Sequence, residues 1–317
     1  LAVTASVIAM GGMIRIYDAG ESCPDWPTCW GNLVPPTKVE QIDFEKIDLE
    51  KFRRKAARHG RDSESITRES LRGEFNPVHT WVEYVNRLCS LPVGFLTLAI
   101  CVFSFRLRRR WPAVWWGSLA SLVLVLVNAE LGRRVVMSGL KPGIITLHMA
   151  LAILLVCLLV YVAWRGCESP WRRPVVGPRG RTLWFVGLGL FVLTVAEGVM
   201  GAQVRELTDE FAKSYGSETR SQWTGKLEVS LVYLVHRSFS WLIVAGAIAM
   251  LVLSRKAGIL AWPEKSIAVL VGALLVMGLV LSQVGVLPIV QVLHVGAAAL
   301  LVTTLFFWLL ATRSARA

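Results

Sequence analysis

Apolar residues in this chain come in long runs separated by basic turns or longer polar segments. A helix needs about 20 apolar residues to cross the hydrocarbon core of a bilayer. Eight stretches meet or approach that length: 1–16, 82–105, 112–132, 143–164, 183–204, 229–253, 266–286 and 288–311. The expected fold is therefore all-α, a polytopic membrane protein with eight transmembrane helices. The chain starts at Leu1 inside the first apolar run and no A-x-A-like cleavage site follows, so that run is expected to be a shortened span rather than a cleaved leader.

The two halves of the pattern resemble each other. Span 1 ends Gly12-Met13-Ile14-Arg15 and span 5 ends Gly201-Ala202-Gln203-Val204-Arg205. Span 2 opens Glu83-Tyr84-Val85-Asn86-Arg87 and span 6 opens Tyr233-Leu234-Val235-His236-Arg237. Span 4 carries Leu147-His148 and span 8 carries Leu293-His294. Arg87 and Arg237 lie 150 positions apart, His148 and His294 146, so one short indel reconciles them. The expected organisation is two tandem four-helix bundles related by an internal repeat: 1–164 with a large outer loop, a cytoplasmic linker 165–182, and 183–317. An even number of spans per repeat inserts both halves the same way round, about an axis along the membrane normal.

Composition and charge sharpen this picture. The chain is 54% hydrophobic and 18% charged, against about 45–50% and about 25% in soluble domains, and its mean hydropathy is +0.54. Disordered chains, collagen-like fibres and small disulfide scaffolds are excluded. The formal net charge of +12 is a topology signal rather than a nucleic-acid footprint. One set of connecting segments, from Arg106 to Arg110, Arg165 to Arg181, Arg255 to Lys265 and Arg313 to Arg316, holds 14 basic residues against Glu168 and Glu264. The long 17–81 segment nearly balances ten bases with twelve acids. Arg133, Arg134 and Lys141 oppose the bias but are outnumbered. The basic set is expected to be cytoplasmic, with both termini inside and the 17–81 and 205–228 loops outside. The polar 36–76 loop is expected to carry a solvated surface helix between Asp43 and Arg58, a docking surface being the alternative.

Three of the five histidines lie within spans. His148, His236 and His294 each sit roughly 8–10 Å below the outer surface at 1.5 Å per residue. Ionisable groups in spans usually face the bundle interior with a partner, and zinc would want three or four clustered ligands. Two imidazoles at one depth on different helices suit the two axial positions of one haem iron, which makes His236 and His294 the candidate pair. The equivalent pair in the first half is Asn86 and His148, leaving one strong axial ligand and one open face. His79 lies too far above Asn86 to replace it.

Glu83 shares a helical face with Asn86; it either pairs with Arg87 or acts as a carboxylate beside the open face, able to relay protons. Arg87 and Arg237 either hold haem propionates or snorkel at the interface. Glu130 and Glu197, near the outer ends of spans, are expected to pair with a neighbouring Arg or to line a proton path. Cys23 and Cys29 flank Pro24-Asp25-Trp26-Pro27-Thr28 on the oxidising side, where a disulfide clamp or a redox-active pair is open. Cys89, Cys101, Cys157 and Cys167 are isolated.

Gly11-Gly12-Met13-Ile14-Arg15, the Cys23-to-Cys29 loop, Glu83-Tyr84-Val85-Asn86-Arg87, Leu147-His148, Gln203-Val204-Arg205-Glu206, Leu234-Val235-His236-Arg237-Ser238 and Leu293-His294 together resemble the haem A synthase family. The resemblance implies eight helices in two four-helix halves, and oxidation of the C8 methyl of haem O to the formyl of haem A by successive hydroxylations, with water as the oxygen source. It implies a haem b cofactor on His236 and His294, with Arg237 beside it. Haem O would bind in the first half at Asn86, Arg87 and His148. Glu83 matches the family's catalytic carboxylate and Cys23 with Cys29 its disulfide pair. Implied partners are haem O, haem O synthase, cytochrome oxidase assembly proteins and membrane lipid, in a bacterial inner membrane; an oligomer is left open. Many family members carry histidine where this chain has Asn86, so the substrate either hangs on His148 alone or the reaction is lost. A membrane cytochrome b electron carrier and a haem-delivery assembly factor are the competing readings.

Overall fold

The computed structural model describes residues 11, 14, 19, 22–23, 25–58, 62–138, 143–215, 220–285 and 287–313. Among them the fold is all-α: α1 (Leu49–Arg58), α2 (Arg68–Glu74), α3 (Pro77–Arg106), α4 (Pro112–Met137), α5 (Ile144–Gly166), α6 (Gly177–Tyr215), α7 (Arg220–Glu228), α8 (Leu231–Lys256), α9 (Trp262–Leu279) and α10 (Pro288–Thr312). A π-helical turn, Val280–Val284, extends α9. Seven of these helices, α3 to α6 and α8 to α10, are long and apolar enough to cross a membrane. The first expected span, 1–16, lies outside the described residues except for Gly11 and Ile14.

Local sequence sets where the spans begin. Asn76 caps α3 by accepting from the backbone N–H groups of Val78 and His79, and Pro77 follows where no helical N–H is needed. Proline likewise opens α4, α9 and α10. Ser230 caps α8 through Tyr233 N–H. Gly143, at φ +84°, leads into α5 without a side-chain cap of its own; Glu206 of α6 fills that role, accepting from Thr146 N at 3.0 Å, Thr146 Oγ1 at 2.9 Å and Gly143 N at 3.2 Å. A carboxylate here also meets the positive end of the helix dipole.

The second half closes into a ring in which α6 packs on α8, α8 on α9, α9 on α10 and α10 on α6. That order puts α8 and α10 on opposite corners. In the first half α4 packs between α3 and α5, and α5 meets the second half along α10 and α6. The core of the ring sits towards the ends of α8 and α10 and the starts of α6 and α9: Leu183, Leu190, Ile243, Ala247, Met250, Ile267, Val271, Leu301, Leu305 and Trp308 form one cluster. Trp308 is fully buried and lies against Gly187, where a Cβ would stand 2.3 Å from its ring. Its indole N–H donates to buried Glu264 at 2.8 Å, whose other oxygen accepts from Ala261 N at 2.9 Å. His236 and His294 lie towards the opposite end of the ring from this core, near the starts of α8 and α10.

Two boundaries differ from expectation. The helix expected over 183–204 runs from Gly177 to Tyr215, so it takes up part of the 165–182 linker and of the 205–228 loop, whose remainder carries α7. Hydropathy marks only the lipid-spanning part, whereas Arg205-Glu206-Leu207 and the residues after it remain good helix formers. The outer 36–76 segment is more than a solvated helix. Trp30, Ile42, Phe44, Ile66 and Leu71 close a small core over the disulfide, joined by Val39, Phe52, Phe75 and Tyr84. Trp30 is its hub, with ring centroids 6.3 Å from Phe44, 6.3 Å from Phe52 and 5.5 Å from Phe75.

Candidate functional site

The cap rests on the outer end of α3. Cys23 and Cys29 form a disulfide with Cα atoms 4.8 Å apart, and both are fully buried. Beneath them Glu83, 2% exposed, accepts from Cys23 N at 2.8 Å and pairs with Arg87 one turn further along α3. The Arg87 guanidinium donates to the backbone carbonyls of Cys23 at 3.0 Å, Asp25 at 2.9 Å and Thr28 at 3.2 Å. Asp25 in turn pairs with Thr28 and accepts from Trp30 N at 2.7 Å and Gly31 N at 2.9 Å. Thr80 Oγ1 donates to Ser22 O at 3.2 Å. One face of α3 therefore holds the cysteine loop through an ion pair and a set of carbonyl acceptors. Glu83 takes the pairing with Arg87 that the sequence allowed, and Arg87 anchors the loop.

Asn86 occupies the next position on α3, and its Oδ1 is buried without a partner. His148 on α5 packs its Cε1 against Gly132 of α4, where a Cβ would stand 3.5 Å away, and its Nδ1 is also buried without a partner. His79 lies in the first turn of α3, close to the cap.

Two further histidines lie on α8 and α10. His294 on α10 lies against Gly278 of α9, with 3.8 Å between its Cε1 and an added Cβ. Gly278 precedes His294 by the same sixteen positions that separate Gly132 from His148. His236 on α8 lies against Gly201 of α6, with 3.2 Å between its Cε1 and an added Cβ. The two imidazoles belong to helices on opposite corners of the ring. Glu197 of α6, one turn before Gly201, puts Oε1 3.1 Å from His236 Nδ1. Ser240 Oγ donates to the same oxygen at 2.7 Å.

Arg237 is exposed, with its guanidinium carbon 5.9 Å from the Tyr233 ring centroid, an environment unlike that of its counterpart Arg87. Glu130 pairs with Arg133 and Arg134 at 2.7 and 2.8 Å on its own helix. Among the described residues no three His, Cys, Asp or Glu side chains are grouped to hold a bare metal ion. The histidines thus offer a pair on opposite corners of one ring and a single imidazole on α5. Two imidazole donors from two helices of one ring could hold an iron porphyrin, whose iron takes one axial ligand from each face.

Sequence reasoning missed three features. Glu197 meets a histidine rather than an arginine, Glu206 caps a helix of the other half, and glycines back all three histidines. The equal glycine-to-histidine spacing in spans 3–4 and 7–8 was the available signal for the last.

A family model described as cytochrome oxidase assembly protein matches residues 1–306. The chain is 29% identical to a protein named heme A synthase from Caulobacter vibrioides, over 97% of this chain and 92% of the relative. It is 24% identical to one of the same name from Rhizorhabdus wittichii, over 95% and 88%, and 24% identical to another from an Exiguobacterium species, over 79% and 69%. No solved structure matches.

Proposed function

Because the chain belongs to the cytochrome oxidase assembly protein family, a family of multi-pass membrane proteins, we propose that it is a haem A synthase, converting haem O to haem A. Relatives of that name align with it nearly end to end. The observation that carries the reading is the pair His236 and His294, each set against a glycine of an adjacent helix on opposite corners of one helical ring. In this reading His236 and His294 would hold a haem b cofactor, and the exposed Arg237 would lie near it. When bound, that cofactor supplies one-electron transfer.

Haem O binds in the first half. His148 would offer its iron an imidazole nitrogen, and Asn86, a weak ligand whose Oδ1 is buried, would leave the site with a single strong ligand. Converting the methyl to a formyl group removes four electrons and four protons and takes one oxygen atom from water. Glu83 is the carboxylate nearest to Asn86 on α3 and receives a proton as the hydroxyl forms. Arg87 positions Glu83 and the cysteine loop, excluding bulk water from above. The 14 basic residues of the short segments face the cytoplasm of a bacterial inner membrane, and the cap lies outside. The tandem four-helix repeat supplies two haem sites at one depth.

The test is chromatography of haems extracted from protein purified from cells that also make haem O. Haem A or its hydroxylated precursor supports the reading. Haem b alone favours an electron carrier, and intact haem O with no oxidised product favours a delivery factor.

A further inference from the structure

We propose that Glu197, oriented by Ser240, is the positioning residue that fixes the His236 imidazole and raises its donor strength toward iron; this deepens the reading of His236 as an axial haem ligand and rests on it. Three observations converge. First, Glu197 Oε1 lies 3.1 Å from His236 Nδ1. The two atoms are in contact, and among the described residues no other partner competes for this nitrogen. Second, Glu197 is 9% exposed, and its Oε1 accepts from Ser240 Oγ at 2.7 Å; the alternative acceptor for that single hydroxyl proton is His236 O at 2.9 Å. Third, Gly201, one turn further along α6, lets the imidazole lie close to the helix, where an added Cβ would stand 3.2 Å from its Cε1. One face of α6 therefore provides both the floor beneath the ring and the acceptor at its edge.

A carboxylate that accepts from Nδ1–H selects the tautomer whose Nε2 lone pair is free, and makes that nitrogen a stronger donor. Stronger donation stabilises ferric over ferrous iron and lowers the reduction potential. Among the described residues no carboxylate pairs with the ring of His148 or His294, whereas Glu197 stands beside that of His236. In the register that aligns Arg15 with Arg205, position 197 corresponds to Val7. The two halves thus differ by an acid that the second alone possesses, which suits a second-half iron that must hand on electrons in one direction.

The test uses the purified, haem-loaded protein and measures haem content, the electron paramagnetic resonance spectrum and the midpoint potential. Glu197→Gln is expected to keep haem and the low-spin bis-histidine signature while the midpoint potential rises and the g-values change. Ser240→Ala is expected to move both in the same direction by less. If Glu197→Gln loses haem, Ser240→Ala decides alone. Haem retained in either variant with an unchanged potential and spectrum overturns the proposal. A wild-type spectrum that persists in His236→Ala instead overturns the axial assignment on which it rests.

Discussion

Arg87→Met removes the guanidinium that ties the cysteine loop to α3 while keeping most of the side-chain volume. The wild-type group is 15% exposed, pairs with Glu83 at 2% exposure and donates to three loop carbonyls. Hydrogen bonds to charged groups contribute about 1.5–3 kcal/mol each, but those sharing one guanidinium do not add. Breaking a buried ion pair from one side costs about 3–5 kcal/mol. Taking about 3 kcal/mol as the loss in local stability, opening of the loop becomes roughly 10²-fold more frequent, at 1.4 kcal/mol per tenfold. Because Cys23 and Cys29 are fully buried, reduction of their disulfide by a small thiol requires that opening. The assay is the initial rate of reduction in the folded protein, followed by mass shift after alkylation. An acceleration of about a hundredfold is expected, with Glu83→Gln in the same background recovering part of it. A rate within threefold of wild type would refute the clamp.

Three further outcomes follow from the geometry. Gly201→Val drives a branched side chain into the 3.2 Å gap beneath His236, so the purified protein should lose second-half haem while its helical circular dichroism is kept. Trp308→Ala removes a fully buried side chain from the core of the ring and should cost about 3–5 kcal/mol, read as a lower detergent-solubilised melting temperature. Glu206→Ala removes the cap that α6 provides for α5 and should cost about 0.5–2 kcal/mol, read as faster hydrogen exchange at Thr146.

Much of the architecture is legible in the chain because lipid imposes it. Backbone groups in hydrocarbon must bond within the segment, so apolar length alone marks the helices. The histidines stand out for the same reason, since an ionisable side chain there is costly. What escapes the sequence is lateral. Glu130 takes the nearest cations, Arg133 and Arg134, along its own helix, as periodicity suggests. Glu197 instead meets His236 and Ser240 across a helix interface, a partnership fixed by which face of α6 turns to α8. The cap is likewise hidden, because Trp30, Phe44, Phe52 and Phe75 come together from separate polar stretches that show no periodic pattern. Arg87 illustrates both limits: its position matches Arg237 in the repeat, yet one holds a loop that the second half does not possess.

The most direct test of the account is the low-temperature electron paramagnetic resonance spectrum of purified, haem-loaded wild type beside His236→Ala and His294→Ala. The account predicts a low-spin bis-imidazole signal in the wild type that each single substitution abolishes. A signal that survives either substitution unchanged would contradict it.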